Sequence, residues 1–472
     1  VDVLTAINIK RPSLKIHIQK IWIAIVLFWT FPFIFYVAHL SSLTNYLFPL
    51  FAFVLGIILY RRYPGLYVSH MWWLWFITPE IRRLVDYQIG FQPISPVMLT
   101  PYLVTGLTFF SVLLYFPTLL NKRVFPITLA MAGILYGYFV GIINAGLLPA
   151  TFGLLNWLLP VLFGIYVIIF SNKYESFKQS TYRTFVWGTM IMGIYGLFQY
   201  INPPPWDKYW MLASKMLSIG LPLPYHVRIF STMNSPGPFA MELMGTLLML
   251  SVGASAWRIP AAIFGYLTFL LTLVRTAWGG WAVGLIYLIY RFKPQYTIRY
   301  VVATIFVLML ALPVLSIGPI ANSIDKRVQS IENVQQNASY KVRVNFYKDF
   351  FYKSLDEPIG TGIGNVGVSG RLSSSGHVVN FDSGIMEIPY VLGWPGALLF
   401  IFGTLWTLMY VTLNSSASKD PFIAVYGAIA LSVFVTLPFF DTLIGTSGML
   451  FWGFCGMTIS GIRYQRLLKK ML

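Results

Sequence analysis

Apolar stretches long enough to cross a lipid bilayer recur along nearly the whole chain, and nothing else constrains its fold as strongly. A hydrocarbon core about 30 Å thick needs roughly 20 apolar residues of helix. Lipid offers no partner to an unpaired backbone amide, so spanning stretches must be helical. Fourteen spans are predicted, near 21–39, 43–60, 66–79, 97–117, 124–146, 150–171, 184–201, 238–257, 259–274, 277–290, 300–318, 384–412, 421–440 and 442–462. The third is short and aromatic (Met71-Trp72-Trp73-Leu74-Trp75-Phe76), and a re-entrant segment is the alternative there. Composition excludes the other classes. Of 472 residues, 57% are apolar and 10% charged, against about 25% charged in a soluble domain, and disorder needs the opposite balance. The expected fold is all-α, a polytopic transmembrane helical bundle of about 14 spans with two long extracytoplasmic loops containing short interfacial helices.

Charge sets the expected orientation. The 33 Lys and Arg outnumber the 15 Asp and Glu, giving a formal charge of +18. With fourteen spans both termini share a side, and the segments there hold twenty cations against three anions. Dropping the third span inverts everything beyond it and destroys that asymmetry, so the span is kept and both termini are assigned to the cytoplasm. The surplus is then a topology signal, not a nucleic-acid patch. The basic segment Lys10–Lys20 leads into a full-length apolar run without a small-residue cleavage site, so no cleavable signal peptide is expected. Cys455 stands alone in an apolar stretch, which excludes a disulfide framework and a thiolate cluster.

Four regions follow: N-terminal helices over 1–180, central helices over 181–318 with a first outer loop at 202–237, a large outer loop at 319–383, and C-terminal helices with a basic tail over 384–472. Loops of such length are usually functional or disordered. Within the second, helical periodicity at 337–354 puts Val342, Phe346, Phe350 and Phe351 on one stripe, as in a helix resting at the interface. Gly360-Thr-Gly362-Ile-Gly364-Asn-Val-Gly367 reads as a turn, and Ser373-Ser374-Ser375-Gly376 as a mobile stretch.

Chemistry is sought first among charges that membrane burial makes expensive. Arg275, in Leu273-Val-Arg275-Thr-Ala-Trp278, lies between two spans with almost no loop. A snorkelling helix-end arginine is the plain alternative. Arg228, in His226-Val-Arg228-Ile-Phe-Ser231-Thr-Met-Asn234-Ser235-Pro236, precedes the next span, which Asn234 or Ser235 is placed to cap. Taken alone Arg228 reads as an interfacial anchor; together, two guanidiniums at the outer face suit phosphate oxygens. His377 and Asp382 are the proton-acceptor candidates. An isolated loop histidine is usually only solvated, and Asp382 at the mouth of the twelfth span serves equally as a helix cap. Asp382 and Glu387 stand five residues apart, off a common helix face, so no carboxylate dyad is read there. No histidine pair has metal-ligand spacing, and no metal or cofactor is expected. Arg343 and Arg371 follow among the outer-side cations, the two to hold an anionic ligand if the resemblance given next applies, with Arg82 and Arg83 after them.

The order of four stretches resembles the O-antigen ligase and O-antigen polymerase family over roughly 180–450. They are Arg228-Ile-Phe-Ser-Thr-Met-Asn-Ser-Pro; Leu273-Val-Arg275-Thr-Ala-Trp; Ser339-Tyr-Lys-Val-Arg343 with Glu357-Pro358-Ile-Gly360-Thr-Gly362-Ile-Gly364-Asn; and Asp382-Ser-Gly-Ile-Met-Glu-Ile-Pro-Tyr-Val-Leu-Gly393-Trp-Pro-Gly396. The resemblance implies a membrane glycosyltransferase acting on a polyprenyl-diphosphate-linked glycan at the outer face, with a glycan or lipid acceptor and polysaccharide-assembly proteins as further partners. It makes Arg228 and Arg275 the diphosphate clamp. The family's activating histidine falls on Asp382 here, with His377 five residues earlier, and Asp382 is preferred. Between polymerase and ligase the departure at this position favours polymerase. The rival reading is a transporter or flippase, which should show inverted repeats with paired broken helices; none is evident. A partner-binding scaffold without activity is the third.

Overall fold

The computed structural model describes residues 12–292, 298, 347, 352, 355–372, 381, 383–414 and 420–471. Among these the chain is helical apart from an isolated bridge between Gly220 and Val227. In order come α1 (Pro12–Val37), α2 (Ser41–Arg62), α3 (Pro64–Ile89), α4 (Thr100–Gly106), α5 (Thr108–Leu114), α6 (Phe125–Ala145), α7 (Leu147–Ile169), α8 (Tyr174–Ile201), α9 (Pro205–Ala213), α10 (Pro236–Met249), α11 (Arg258–Leu271), α12 (Arg275–Arg291), α13 (Gly384–Leu413), α14 (Pro421–Val435) and α15 (Gly445–Met471). Six stretches are long and apolar enough to cross a membrane: Gln19–Val37, Ser41–Arg62, Pro96–Leu114, Phe125–Ala145, Leu147–Ile169 and Gly384–Leu413. Of the predicted spans, the one at 300–318 lies outside the described residues, as does nearly all of the 337–354 stripe. The others fall on helices.

Several helices begin as their sequences require. Proline opens α3, α10 and α14, where a missing N–H costs nothing. Asp420 caps α14, its carboxylate accepting from Phe422 N at 2.9 Å. Ser235 takes the cap position of α10 without a side-chain bond. The third apolar run lies in α3, one continuous 26-residue helix that extends beyond the predicted 66–79 at both ends. It runs on through Glu80, Arg82, Arg83 and Asp86, all buried. The predicted 97–117 span is also less regular, a 3-10 turn at Pro96–Leu99 followed by α4 and α5.

Small residues set the closest approaches. Gly133 and Gly137 of α6 lie against Gly396, Phe400 and Leu392 of α13, and Gly164 of α7 lies against Trp452 and Gly456 of α15. Without a hydrophobic force between helices in lipid, such close backbone contact is a main source of association.

The glycine-rich segment is no surface turn. Residues 358–364 enter the bundle between α6, α7 and α13, with Ile363 buried. Thr361 N and Gly362 N donate to the carbonyls of Tyr390 and Val391 at 2.9 and 3.0 Å. Trp394 N returns a bond to Pro358 O at 2.9 Å, and Ile363 N donates to Gly137 O at 2.9 Å. These bonds satisfy α13 where it breaks, at Gly393 with φ of 62°. Gly360, Gly362 and Gly364 all have positive φ.

Candidate functional site

Arg228 lies at the end of the bundle where α8 stops and α10 begins. Its guanidinium donates through Nε to Thr272 O at 3.2 Å, through one terminal nitrogen to Leu273 O at 3.3 Å, and through the other to Ser218 O at 2.9 Å. Thr272 and Leu273 form the hinge between α11 and α12, where Leu273 takes a left-handed φ of 56°. Two residues later Arg275 opens α12, half-buried. The two arginines singled out by sequence thus share one end of the molecule and one hinge.

The segment after Arg228 is held from beneath by a buried polar network. Arg83 of α3 donates to the carbonyls of Met233, at 2.6 Å, and Ser231. It pairs with Glu80 and, at 3.2 Å, with Asp207 of α9. Gln199 of α8 donates to Asp207 at 2.6 Å, and its carbonyl accepts from Phe230 N and Ser231 N at 3.0 and 2.9 Å. The Tyr195 hydroxyl lies 2.9 Å from Glu80 and 2.8 Å from Asp207, so its one proton serves the two carboxylates in turn. Burial pushes the Asp207 carboxyl up, opposed by the Arg83 charge and the bonds from Gln199 and Tyr195. The network holds Ser231 in a left-handed φ of 47°, a conformation that costs about 1–3 kcal/mol and persists only when its surroundings dictate it.

Arg83 is therefore corrected: it is fully enclosed, stacked 4.8 Å from the Phe230 ring, and does not line an open cavity. Arg82 is buried as well, bonded to Asp86 at 3.2 Å and to Gln92 O at 2.5 Å, with its guanidinium 4.7 Å from the Trp210 ring. Arg371 is exposed, and its charge reaches Arg82.

A second group of residues adjoins this end. Gly237, at the start of α10, lies against the Phe440 ring. Gly384 N, opening α13, donates to Leu437 O at 3.0 Å and Phe440 O at 3.2 Å. Beside them is a cavity of about 160 Å³ lined by Asn156, Trp157, Ser369, Phe381, Glu387 and Asp441 among others. The Glu387 and Asp441 carboxyls hydrogen-bond each other. Two ionised carboxylates cannot do so, so the pair holds a proton. Burial pushes the Asp441 carboxyl up to about 7. Sequence reasoning set Glu387 aside with Asp382 and missed its partner. The available signal was an acid at position 441 in an otherwise apolar run.

Of the expected site residues, the structure brings Arg228 and Arg275 together and sets Arg371 in reach of the Arg82 charge. Asp382, His377 and Arg343 lie outside the described residues. The cap of α13 is Ser383, the residue after Asp382. Among the described residues no cluster of three or more His, Cys, Asp or Glu is placed to hold a metal ion.

Residues 260–401 match the Wzy_C family model, described as O-antigen ligase. No curated protein matches the chain. The matched stretch begins in α11, contains the hinge with Arg275 and the glycine-rich segment, and ends in α13 beyond its break. The matched model is of the family that the order of the motifs resembles, over residues 260–401 of this chain.

Proposed function

We propose that this membrane enzyme of polysaccharide assembly transfers a glycan from a polyprenyl-diphosphate carrier to a hydroxyl of a second glycan or lipid, at the outer face of the inner membrane. The observation that carries the reading is the bonding of Arg228 to the Thr272 and Leu273 carbonyls, next to Arg275. A diphosphate leaving group gains negative charge as its bond to the sugar breaks, and two guanidiniums can stabilise that charge.

The acceptor oxygen attacks the anomeric carbon, the carbon–oxygen bond to the diphosphate breaks, and the hydroxyl proton goes to a base. Attack opposite the leaving group inverts the anomeric centre. A positioned base contributes about 10²–10⁴-fold. Asp382 is the first candidate and His377 the second. The Glu387–Asp441 pair is a further destination for the proton once its shared proton has left. Because the donor is already activated, neither ATP nor a metal is required. Polymerase is preferred over ligase because Asp382 stands where the family has its histidine.

The test is transfer from a purified lipid-linked donor in nanodiscs. Arg228→Ala and Arg275→Ala should each lower kcat/KM by about 10²-fold or more in protein that remains folded, and EDTA should leave the rate intact. Polymer formation that survives the double substitution would overturn the reading.

A further inference from the structure

The loop that holds Arg228 is apolar on its other side. From Leu212 in the last turn of α9 to Arg228, the side chains of Leu212, Met216, Leu217, Leu221, Leu223 and Tyr225 are exposed, Leu217 at 98%. The loop is nonetheless well built. Gly220 pairs with Val227, Leu221 N donates to His226 O at 3.1 Å, and Ile219, Val227, Trp210, Met211 and Phe230 form a small core of their own beneath it. Its height is fixed by Tyr225 N, which donates to Tyr200 O in the last turn of α8 at 2.8 Å. On that last part of α8, Ile191, Ile194, Phe198 and Ile201 are exposed on one helical stripe, the face a spanning helix turns to lipid. The exposed leucines follow this stripe in the chain, and the Tyr225–Tyr200 bond ties their loop to its end. Lys208, in α9, precedes the loop, and Lys215 stands exposed within it.

We propose that residues 212–225 form a lip immersed in the membrane leaflet at the Arg228 end of the bundle, with Lys208 and Lys215 at the level of the lipid phosphates. An exposed apolar patch of this kind marks a membrane or partner surface. Continuity with the lipid-facing stripe of α8, and the bond from Tyr225 to the last turn of that helix, select lipid. Exposed apolar side chains together with nearby lysines are the composition of an interfacial segment. The lip's backbone grips the arginine: Ser218 O accepts from its guanidinium, and Arg228 N donates to Ile219 O at 2.8 Å. A diphosphate lipid diffusing in that leaflet therefore meets Arg228 at headgroup height, an extension that rests on the sugar-transfer reading.

The test uses the full chain in phosphatidylethanolamine–phosphatidylglycerol nanodiscs. Leu217→Cys is labelled with an environment-sensitive fluorophore; the native Cys455 is buried. Spin-labelled lipids should quench the probe and its emission should shift to the blue, while iodide in the buffer leaves it bright. Iodide quenching as strong as for free dye overturns the lip, and so does a probe shielded from both quenchers, which would indicate a protein partner. Leu217→Asp combined with Leu221→Asp, both at exposed positions, should raise KM for a long-chain lipid-linked donor about tenfold. The same variant should keep kcat, and KM for a short-chain soluble donor, within twofold. Equal KM values for variant and parent on the long-chain donor overturn the capture role. A quenched probe in a protein that transfers no glycan from any donor leaves the lip standing and removes the sugar-transfer reading.

Discussion

Arg228 and Arg275 were legible because a guanidinium in apolar surroundings is costly and needs a reason. Their supporting residues were not. Glu80, Arg83, Gln199 and Asp207 lie on three helices, and each looks ordinary until the fold joins them. Removing one member of such a group leaves the others buried and uncompensated. Arg83→Ala should cost about 3–5 kcal/mol, read as a fall in the thermal unfolding midpoint. Arg83→Lys should restore less than half of it, since one ammonium cannot reach Glu80, Asp207 and two carbonyls in the same fork. Asp441 was invisible for the same reason, its partner Glu387 being far away in sequence. Its carboxyl is raised to about 7, so the folded protein holds this proton while the unfolded chain, with an ordinary carboxylate near 3.9, has released it. Stability should then fall as pH rises from about 4 to 7, the window in which only the folded state binds it. The slope across that range should be smaller in Asp441→Asn without vanishing, because Glu387 remains beside the cavity; a variant with the parent's slope would remove Asp441 from the account.

At the scale of elements, apolar length located helices well and judged their ends badly. The run assigned to 66–79 stopped where charges began, yet α3 continues to Ile89 because those charges find partners inside the protein. Periodicity cannot register such compensation. The glycine-rich segment misled in the opposite sense, since glycines read as punctuation on a surface. Here they let the backbone pass between helices. A Cβ on Gly362 would overlap the backbone of Gly141, and its φ of 83° is left-handed. Gly362→Ala should lose about 2–4 kcal/mol from overlap and strain together. Gly279→Ala is the control: nothing lies within 4 Å of its Cβ position. In a helix it should be neutral or gain about 0.5–1 kcal/mol. Equal midpoints for both variants would show that the segment does not pack as described.

For the molecule as a whole, the unequal charge of alternate loops predicts that Arg228 and the lip face away from the cytoplasm. In intact cells a membrane-impermeant maleimide should label Lys215→Cys, at the level of the lipid phosphates, and spare Arg466→Cys until the membrane is opened. The reverse pattern would invert the orientation. Helical class and the repeated crossings were legible from hydropathy alone, because lipid permits so few backbone solutions. The joining of distant stretches at one end was not, since it depends on bonds such as those from Arg228 to the α11–α12 hinge. The break in α13 carries a last consequence. Its open carbonyls are met by amides at 361 and 362, and its Trp394 amide by the carbonyl at 358. Spacing between those points is therefore fixed to the residue, and one amino acid inserted after Pro358 would leave either the helix or the segment facing it without its counterpart. Growth or trimming of this chain is best absorbed elsewhere, in connections that no helix relies upon to close its own gap.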